Sequence, residues 1–144
     1  MRNPAADVVD VRRPVIVRGR IEPLADVPLH RDGPLTRWLM ASASLDGQLR
    51  HHIAIHEFSG VTPANRSYCD LHVHDYDEID VFHSTAGGGL RVAVQLGDET
   101  IEVEAPSTVF IPAGTPHAAN VIAGTGFMIA ILEDGHFRAT RAAE

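Results

Sequence analysis

The 144-residue sequence predicts an all-β fold of antiparallel strands, and three observations support this prediction. Short runs rich in β-branched residues recur along the chain, separated by Gly, Pro, Asn and Asp. Apolar and polar residues alternate within these runs, as in LRVAVQL, whereas helical periodicity is almost absent. Two turn signals, Gly97-Asp98 and the PAG sequence at 112–114, connect neighbouring runs and indicate antiparallel pairing.

Ten segments fit this pattern and are the predicted strands. The first three are PVIVRGRI (14–21), TRWLMASA (36–43) and LRHHIAIHEF (49–58). Two more lie on either side of the polar stretch DYD, namely YCDLHVH (68–74) and EIDVFH (78–83). The next three are GLRVAVQL (89–96), ETIEVEA (99–105) and STVFI (107–111). The last two follow the PAG turn and are PHAANVI (116–122) and GFMIAILE (126–133).

The length indicates a single domain, 1–144, which is long enough to bury a core. We expect the core at about 36–133, an N-terminal arm at 1–20 and a C-terminal tail at 134–144, with the chain from about 137 as an arm or a frayed segment. No apolar run approaches the ~20 residues that a membrane-spanning helix needs, and the N-terminus lacks the order of a secretory signal. A cytoplasmic location is therefore expected. The lone Cys69 cannot form an internal disulfide and is expected to be buried.

Charge excludes several classes of function. A net charge of −7 argues against nucleic acid as a partner, because phosphates bind basic surfaces. All 12 basic residues are Arg, so Schiff-base chemistry and pyridoxal phosphate attachment are excluded. There is also no nucleotide or phosphate motif. The expected partner is a small-molecule substrate, which guanidinium groups could contact if it carries a carboxylate.

The stretch DLHVHDYDE, 70–78, gathers histidines and carboxylates in a predicted strand. Side chains alternate between the two faces of a strand, so His72 and His74 point the same way. Glu78 has the same parity and can return to that face. Imidazole nitrogens and one carboxylate on one wall suit a divalent transition metal with open coordination positions. A fourth ligand could come from IPAGTPHAAN, where the turn presents His117 at the start of a strand.

These residues resemble a known family. The pattern His72-x-His74-x3-Glu78, followed by Pro112-x-Gly114-x2-His117, is similar to the two signature motifs of the cupin superfamily of small β-barrel metalloproteins. The resemblance covers roughly 50–133 and implies a cupin-type jelly-roll β-barrel of antiparallel strands. It also implies one divalent transition metal, Fe, Zn, Mn or Ni. The ligands that the resemblance implies are His72, His74, Glu78 and His117.

The sequence departs from the family pattern at three places that concern loop shape. Arg66 stands where a glycine is expected, and the glycines 87–89 lie slightly beyond the usual distance after the glutamate. Asn120 stands one residue closer to the last histidine than the pattern has it.

Other residues near the motifs have less specific patterns. His51, His52 and His56 are expected as ordinary strand residues, because no motif places them at the metal, although one of them could line the cavity or act as an additional ligand. His83 has the parity opposite to Glu78 and is expected outside. Asp75 and Asp77 are expected as solvated turn carboxylates, whereas Tyr76 could bring its hydroxyl near the mouth of the site. The expected barrel-filling or cavity-lining residues are Trp38, Met40, Phe58, Phe82, Phe110, Phe127 and Met128.

The leading functional hypothesis is an enzyme whose metal acts as a Lewis acid on a carbonyl- or enol-containing small molecule, of isomerase, cyclase or lyase type and conceivably polyketide-cyclase-like. Tyr76 and His52 are the candidate proton-transfer residues. One alternative is a non-haem iron dioxygenase with the same 3-His/1-Glu site, and another is a non-catalytic small-molecule-binding cupin.

Two further expectations concern assembly and source. The Val-, Ile- and Arg-rich segment 8–21 could add to a neighbour's sheet, which predicts a homodimer. The Ala- and Arg-rich, Lys-free composition suggests a GC-rich bacterial genome and a role in specialised metabolism.

Overall fold

Ten antiparallel strands make up almost all of the regular structure in the computed structural model, which describes residues 12–65, 67–85 and 89–142. The prediction of an all-β fold is therefore confirmed. No helix in these described ranges is long and apolar enough to cross a membrane. The strands are β1 (Arg20–Ile21), β2 (Leu35–Ala41), β3 (His52–Val61), β4 (His72–Val73), β5 (Glu78–His83), β6 (Leu90–Leu96), β7 (Glu99–Glu104), β8 (Ser107–Ile111), β9 (His117–Leu132) and β10 (Thr140–Arg141); a 3₁₀ turn spans Leu24–Asp26.

The long strand β9 organises the sheet. Its first half pairs with β6, and its second half lies between β3 and β5. The two strands predicted at 116–122 and 126–133 are thus one continuous strand, which corrects the sequence analysis. Gly124 lies at the change of partners with a φ of 102°. A Cβ atom there would lie 2.0 Å from the carbonyl oxygen of Gly89, so glycine allows the close approach of β6.

Turn chemistry explains the hairpin between β6 and β7. Leu96 pairs with Glu99, so Gly97 and Asp98 form a two-residue loop, and Gly97 has the positive φ that such loops require. Strand β7 pairs only with β6, among the described strands, and its glutamates are exposed. Charged side chains on an edge strand discourage pairing with other chains.

The ends of several predicted strands differ from the structure. Only Arg20–Ile21 of the predicted 14–21 strand pairs, and 8–11 lies outside the described residues. Predicted strand 68–74 is reduced to β4, because the chain before it makes only an isolated bridge from Cys69 to His30. Strand β10 was not predicted. Some of the residues at which the sequence departs from the cupin motifs also lie outside the described residues, namely Arg66, Gly87 and Gly88.

The core lies on the inner face of the sheet, where alternate residues of β3, β5, β6 and β9 are buried. Phe58, Phe82 and Met128 are among them, and Cys69 is buried as expected. The predicted core roles of Met40 and Phe110 are wrong, because their exposed fractions are 38% and 57%. Both lie on outward-facing positions of their strands. Trp38 and Phe127 are partly buried.

Candidate metal centre

The structure brings the four predicted ligands together inside the barrel. His72 lies on β4 and pairs directly with His117 at the start of β9, while Glu78 begins β5. The Nε2 atoms of His72 and His74 are 3.2 Å apart. Oε2 of Glu78 is 3.1 Å from Nε2 of His74 and 3.0 Å from Nε2 of His117. All four side chains are buried, and their ligand atoms lie within 4.8 Å of one another.

Backbone carbonyls fix the orientation of all three imidazoles. Nδ1 of His72 donates to the carbonyl oxygen of Asp70 at 2.7 Å, and Nδ1 of His117 donates to that of Thr115 at 2.9 Å. Nδ1 of His74 donates to the carbonyl oxygen of Arg138. Because a carbonyl oxygen can only accept, each Nδ1 carries a proton, and the Nε2 lone pairs remain available to a metal. The donor set therefore fits a divalent transition metal.

Two hydrogen bonds hold the PAG turn against the segment that carries the other ligands. The amide of Gly114 donates to the carbonyl oxygen of His74 at 2.8 Å, and the amide of Ala113 donates to Oδ1 of Asp77 at 2.8 Å. Gly114 has a φ of 83°, which glycine adopts without strain. The turn thereby fixes the position of His117 relative to His74.

Electrostatics distinguish Glu78 from its neighbour Asp80. Burial favours the neutral form of Glu78, but hydrogen bonds with His117, His74 and Asp80 outweigh it and hold the pKa of Glu78 well below its usual range. Burial and the charge of Glu78 raise the pKa of Asp80 well above its usual range. Glu78 is therefore the ionised carboxylate of the pair. Burial lowers the pKa of His117, but Glu78 reverses this and raises it.

The four ligands line a small cavity with a volume of about 40 Å³. A second polar group also lines this cavity. It is centred on Arg37, which is buried. Its Nη1 donates to Oε1 of Glu22 at 2.7 Å, and its Nη2 donates to Nε2 of His52 at 2.9 Å. Burial, followed by the charge of Arg37, lowers the pKa of His52 to about 4 and that of His56 to about 3. Both imidazoles are thus neutral at neutral pH.

Residues 134–142, which we call the C-terminal strap, cover the centre. The carbonyl oxygen of Arg138 accepts hydrogen bonds from His74 and from the Tyr76 hydroxyl, and the Arg138 amide donates to the same hydroxyl at 3.0 Å. The Phe137 ring lies 5.3 Å from the His74 ring and 5.5 Å from the His52 ring. The strap is therefore part of the site, and the expectation of an arm or a frayed segment is wrong for residues 137–142.

The remaining predicted residues occupy defined places. His51 and His83 are exposed, whereas His52 and His56 line the cavity without joining the ligand cluster. Tyr76 is buried and stacks on His74, with ring centroids 4.9 Å apart and an interplanar angle of 15°.

The two turn carboxylates have partners. Asp75 is exposed and pairs with Arg138 at 2.9 Å. Asp77 is partly buried and accepts from the PAG turn, as described above. Asn120 holds residues 68–69 in place, because its Oδ1 accepts hydrogen bonds from the backbone amides of Tyr68 and Cys69.

Sequence reasoning missed several cavity residues. Asp80 has the same parity as Glu78, and this signal could have found it. Arg37 lies on an inward-facing position of β2, but nothing local marks it as a cavity residue. His30 and Phe137 lie in segments without regular periodicity, and only the tertiary fold brings them to the site.

The fold is similar to that of solved cupin structures. An RmlC-like cupin from Shewanella frigidimarina NCIMB 400 aligns with a TM-score of 0.53 and 15% identity, over 81% of this chain and 85% of that chain. The chain has the cupin fold. A structure from work on the DMSP lyases RdDddP and RnDddQII aligns with a TM-score of 0.56 and 16% identity, and the match covers 88% of this chain and 63% of that chain.

Bacillus subtilis oxalate decarboxylase, in a structure from work on its Mn(II) centres, aligns with a TM-score of 0.51 and 14% identity. The match covers 88% of this chain but only 32% of that chain, so the protein described here spans about one third of the length of that enzyme. No protein-family model matches the sequence, and the search of curated proteins gave no match. The similarity to solved structures thus concerns the fold.

Proposed function

We propose that this cupin is a metal-dependent enzyme that acts on a carbonyl- or enol-containing small molecule, as an isomerase, cyclase or lyase. The observation that carries the proposal is the convergence of three Nε2 atoms and the Glu78 carboxylate, with every Nδ1 fixed by a backbone carbonyl. A divalent metal bound there would polarise a substrate oxygen as a Lewis acid.

The protein's own residues favour such chemistry in two ways. Glu78 supplies one ionised carboxylate, so a centre that holds a divalent ion keeps a net positive charge and attracts an enolate or carboxylate oxygen. Leu24, Val27, Met128 and Leu132 line the cavity and exclude water. In such a low-dielectric site, fixed charges stabilise a developing oxyanion more strongly than they would in water.

Tyr76 and His52 stay the candidates for proton transfer, and their contacts suggest different roles. The Tyr76 hydroxyl both donates to and accepts from the backbone of Arg138. We therefore propose that Tyr76 positions His74 and the C-terminal strap. His52 accepts a hydrogen bond from Arg37 at Nε2, which leaves its proton on Nδ1, and the residue lines the cavity.

Elemental analysis of protein purified without chelator tests the metal-dependent proposal. We expect about one equivalent of zinc, nickel or manganese per chain, because the site offers one set of four ligands. The metal-loaded protein should then convert at least one member of a panel of carbonyl compounds, with no oxygen uptake.

Three other outcomes would contradict the proposal. One equivalent of iron together with substrate-dependent oxygen uptake would indicate the dioxygenase. Bound metal without turnover on any carbonyl compound would indicate a non-catalytic binding protein. Absence of metal, with no binding on titration, would remove the metal centre itself.

We also propose a homodimer formed through the N-terminal arm. Ile16 is fully exposed, and Val15 and Ile21 are exposed beside it. A monomer of 15.6 kDa would leave these apolar side chains in water. Light scattering after gel filtration should therefore give twice that mass for the natural protein and the monomer mass for Ile16→Asp. Phe110→Asp, which changes an exposed apolar residue elsewhere, is the matched control and should stay dimeric; a monomeric natural protein would contradict the proposal.

A further inference from the structure

Three strands align inward-facing side chains across the cavity. Strand β9 lies between β3 and β5, and the registers on its two sides match. Each row therefore contains one side chain from each of the three strands. The rows are His52, Leu132 and Glu78; Ala54, Ala130 and Asp80; and His56, Met128 and Phe82.

The first row places His52 opposite the metal ligand Glu78. The two residues are separated by one strand, so their Cα atoms are two strand spacings apart, roughly 10 Å. The middle row has alanines on β3 and β9, and both Ala54 and Ala130 line the cavity. Small side chains in this row leave the space between the centre and the β3 wall open.

The hydrogen bond from Arg37 determines the state of His52. A guanidinium group can only donate, so Nε2 of His52 must accept and cannot carry a proton. The neutral imidazole then carries its proton on Nδ1. Within the described part of the chain, Nδ1 of His52 has no hydrogen-bond partner although it is buried. A buried donor without a partner is unfavourable, and a hydrogen bond to a ligand oxygen would satisfy it.

His56 repeats this feature on the same strand face. It is buried, lines the cavity, and its Nδ1 also finds no partner among the described residues. Glu22 compensates the charge of Arg37 behind this wall, at 2.7 Å. The wall is therefore polar but has no net charge, so it suits a neutral acceptor oxygen.

We propose that His52 forms a second recognition site for the substrate, at a distance from the metal ligands, with His56 two rows further along the same face of β3. This inference rests on the proposed function, because one end of the substrate is taken to bind at the centre. The substrate class is then a short molecule with two oxygen groups, such as an oxo acid or a diketone. One oxygen group binds at the centre, and the other accepts a hydrogen bond from Nδ1 of His52.

Calorimetric titration of the zinc-loaded protein with two matched acids tests this inference. The probes are 4-oxopentanoate and pentanoate, which differ only in the ketone oxygen. We expect 4-oxopentanoate to bind about tenfold more tightly, which is the gain from about one well-placed hydrogen bond. Elemental analysis of each sample, before titration, reports the metal content separately.

Variants separate the second recognition site from the metal centre. His52→Gln keeps an acceptor for Arg37 but removes the donor at the Nδ1 position, so it should abolish the preference for the oxo acid without loss of zinc. His51→Gln, at the exposed neighbouring position, should retain the preference. Ala54→Leu should weaken binding of both acids by filling the middle row, again with zinc retained. Thermal unfolding checks that each variant is folded.

The outcomes distinguish the two proposals. Equal affinity for both acids in a natural protein that holds zinc, or binding of neither acid, would overturn the second recognition site alone. A preference that survives in His52→Gln would overturn it as well. A natural protein that binds no zinc would overturn the proposed function and, with it, this inference.

Discussion

Combining His72→Ala with His117→Ala is expected to lower the affinity for zinc by more than about 100-fold. Loss of a partner behind a metal ligand already costs about 10–100-fold, and here two of the four ligands themselves are removed. These two residues pair directly across β4 and β9, so the double variant removes the facing ligands of both strands. Zinc titration in competition with a chromogenic chelator measures the affinity.

The matched control removes two histidines outside the site. His51 and His83 are exposed, and the variant that combines His51→Ala with His83→Ala should bind zinc as the natural protein does. If the His72→Ala, His117→Ala variant still held one equivalent with unchanged affinity, the metal would bind elsewhere and the proposed centre would be wrong.

The metal-free protein is expected to lose stability steeply as the pH falls from about 6.5 to about 4, the window given by the lowered pKa values of His52 and His72. Burial lowers the pKa of His56 further, to about 3. Between these limits the unfolded chain binds protons at His52, His56 and His72 that the folded chain does not. The raised pKa values of His117 and Asp80 act in the opposite direction and offset part of this difference. The free energy of unfolding therefore rises with pH, is fully present above about 6.5, and decreases on acidification.

His52, His56 and His72 each change the free energy of unfolding by about 1.4 kcal/mol per pH unit within the window between their folded and unfolded pKa values. Urea unfolding of metal-free protein across the window measures the total slope, and the absence of metal removes the competing pH dependence of ligand deprotonation. His56→Leu should reduce the slope by one histidine's share, whereas His51→Gln should leave it unchanged. A flat profile across the window would contradict the assignment of buried neutral imidazoles.

Local periodicity was enough to place three of the candidate ligands on one face, because a strand alternates its faces with a period of two, whereas the full set of four came from the resemblance to the cupin motifs. His72, His74 and Glu78 share parity, and the alternation continues through Tyr76 despite the turn. The PAG turn was likewise predictable from the sequence, because proline and glycine have backbone preferences that favour tight turns. These signals lie within a few residues of the groups that they position, so no tertiary information was needed.

The rest of the site depends on contacts between distant segments. Arg37 reaches His52 across the β2 and β3 pairing, and Arg138 reaches His74 across 64 residues of sequence. Neither contact leaves a local pattern. Strand β9 was divided in the prediction because Gly124 and Gly126 resemble a turn, whereas the structure uses the flexibility of Gly124 to exchange sheet partners within one strand.

The position of the C-terminal strap in the sequence determines when the complete site can form. The four ligands lie between residues 72 and 117, but the carbonyl that orients the His74 ring belongs to Arg138. During synthesis the ribosome makes all four ligands before it makes that carbonyl. A nascent chain that has not yet reached residue 138 holds His74 without its anchor, so the fully oriented site forms only after the strap has docked. A metal that requires the complete site would therefore bind late in the biogenesis of this protein.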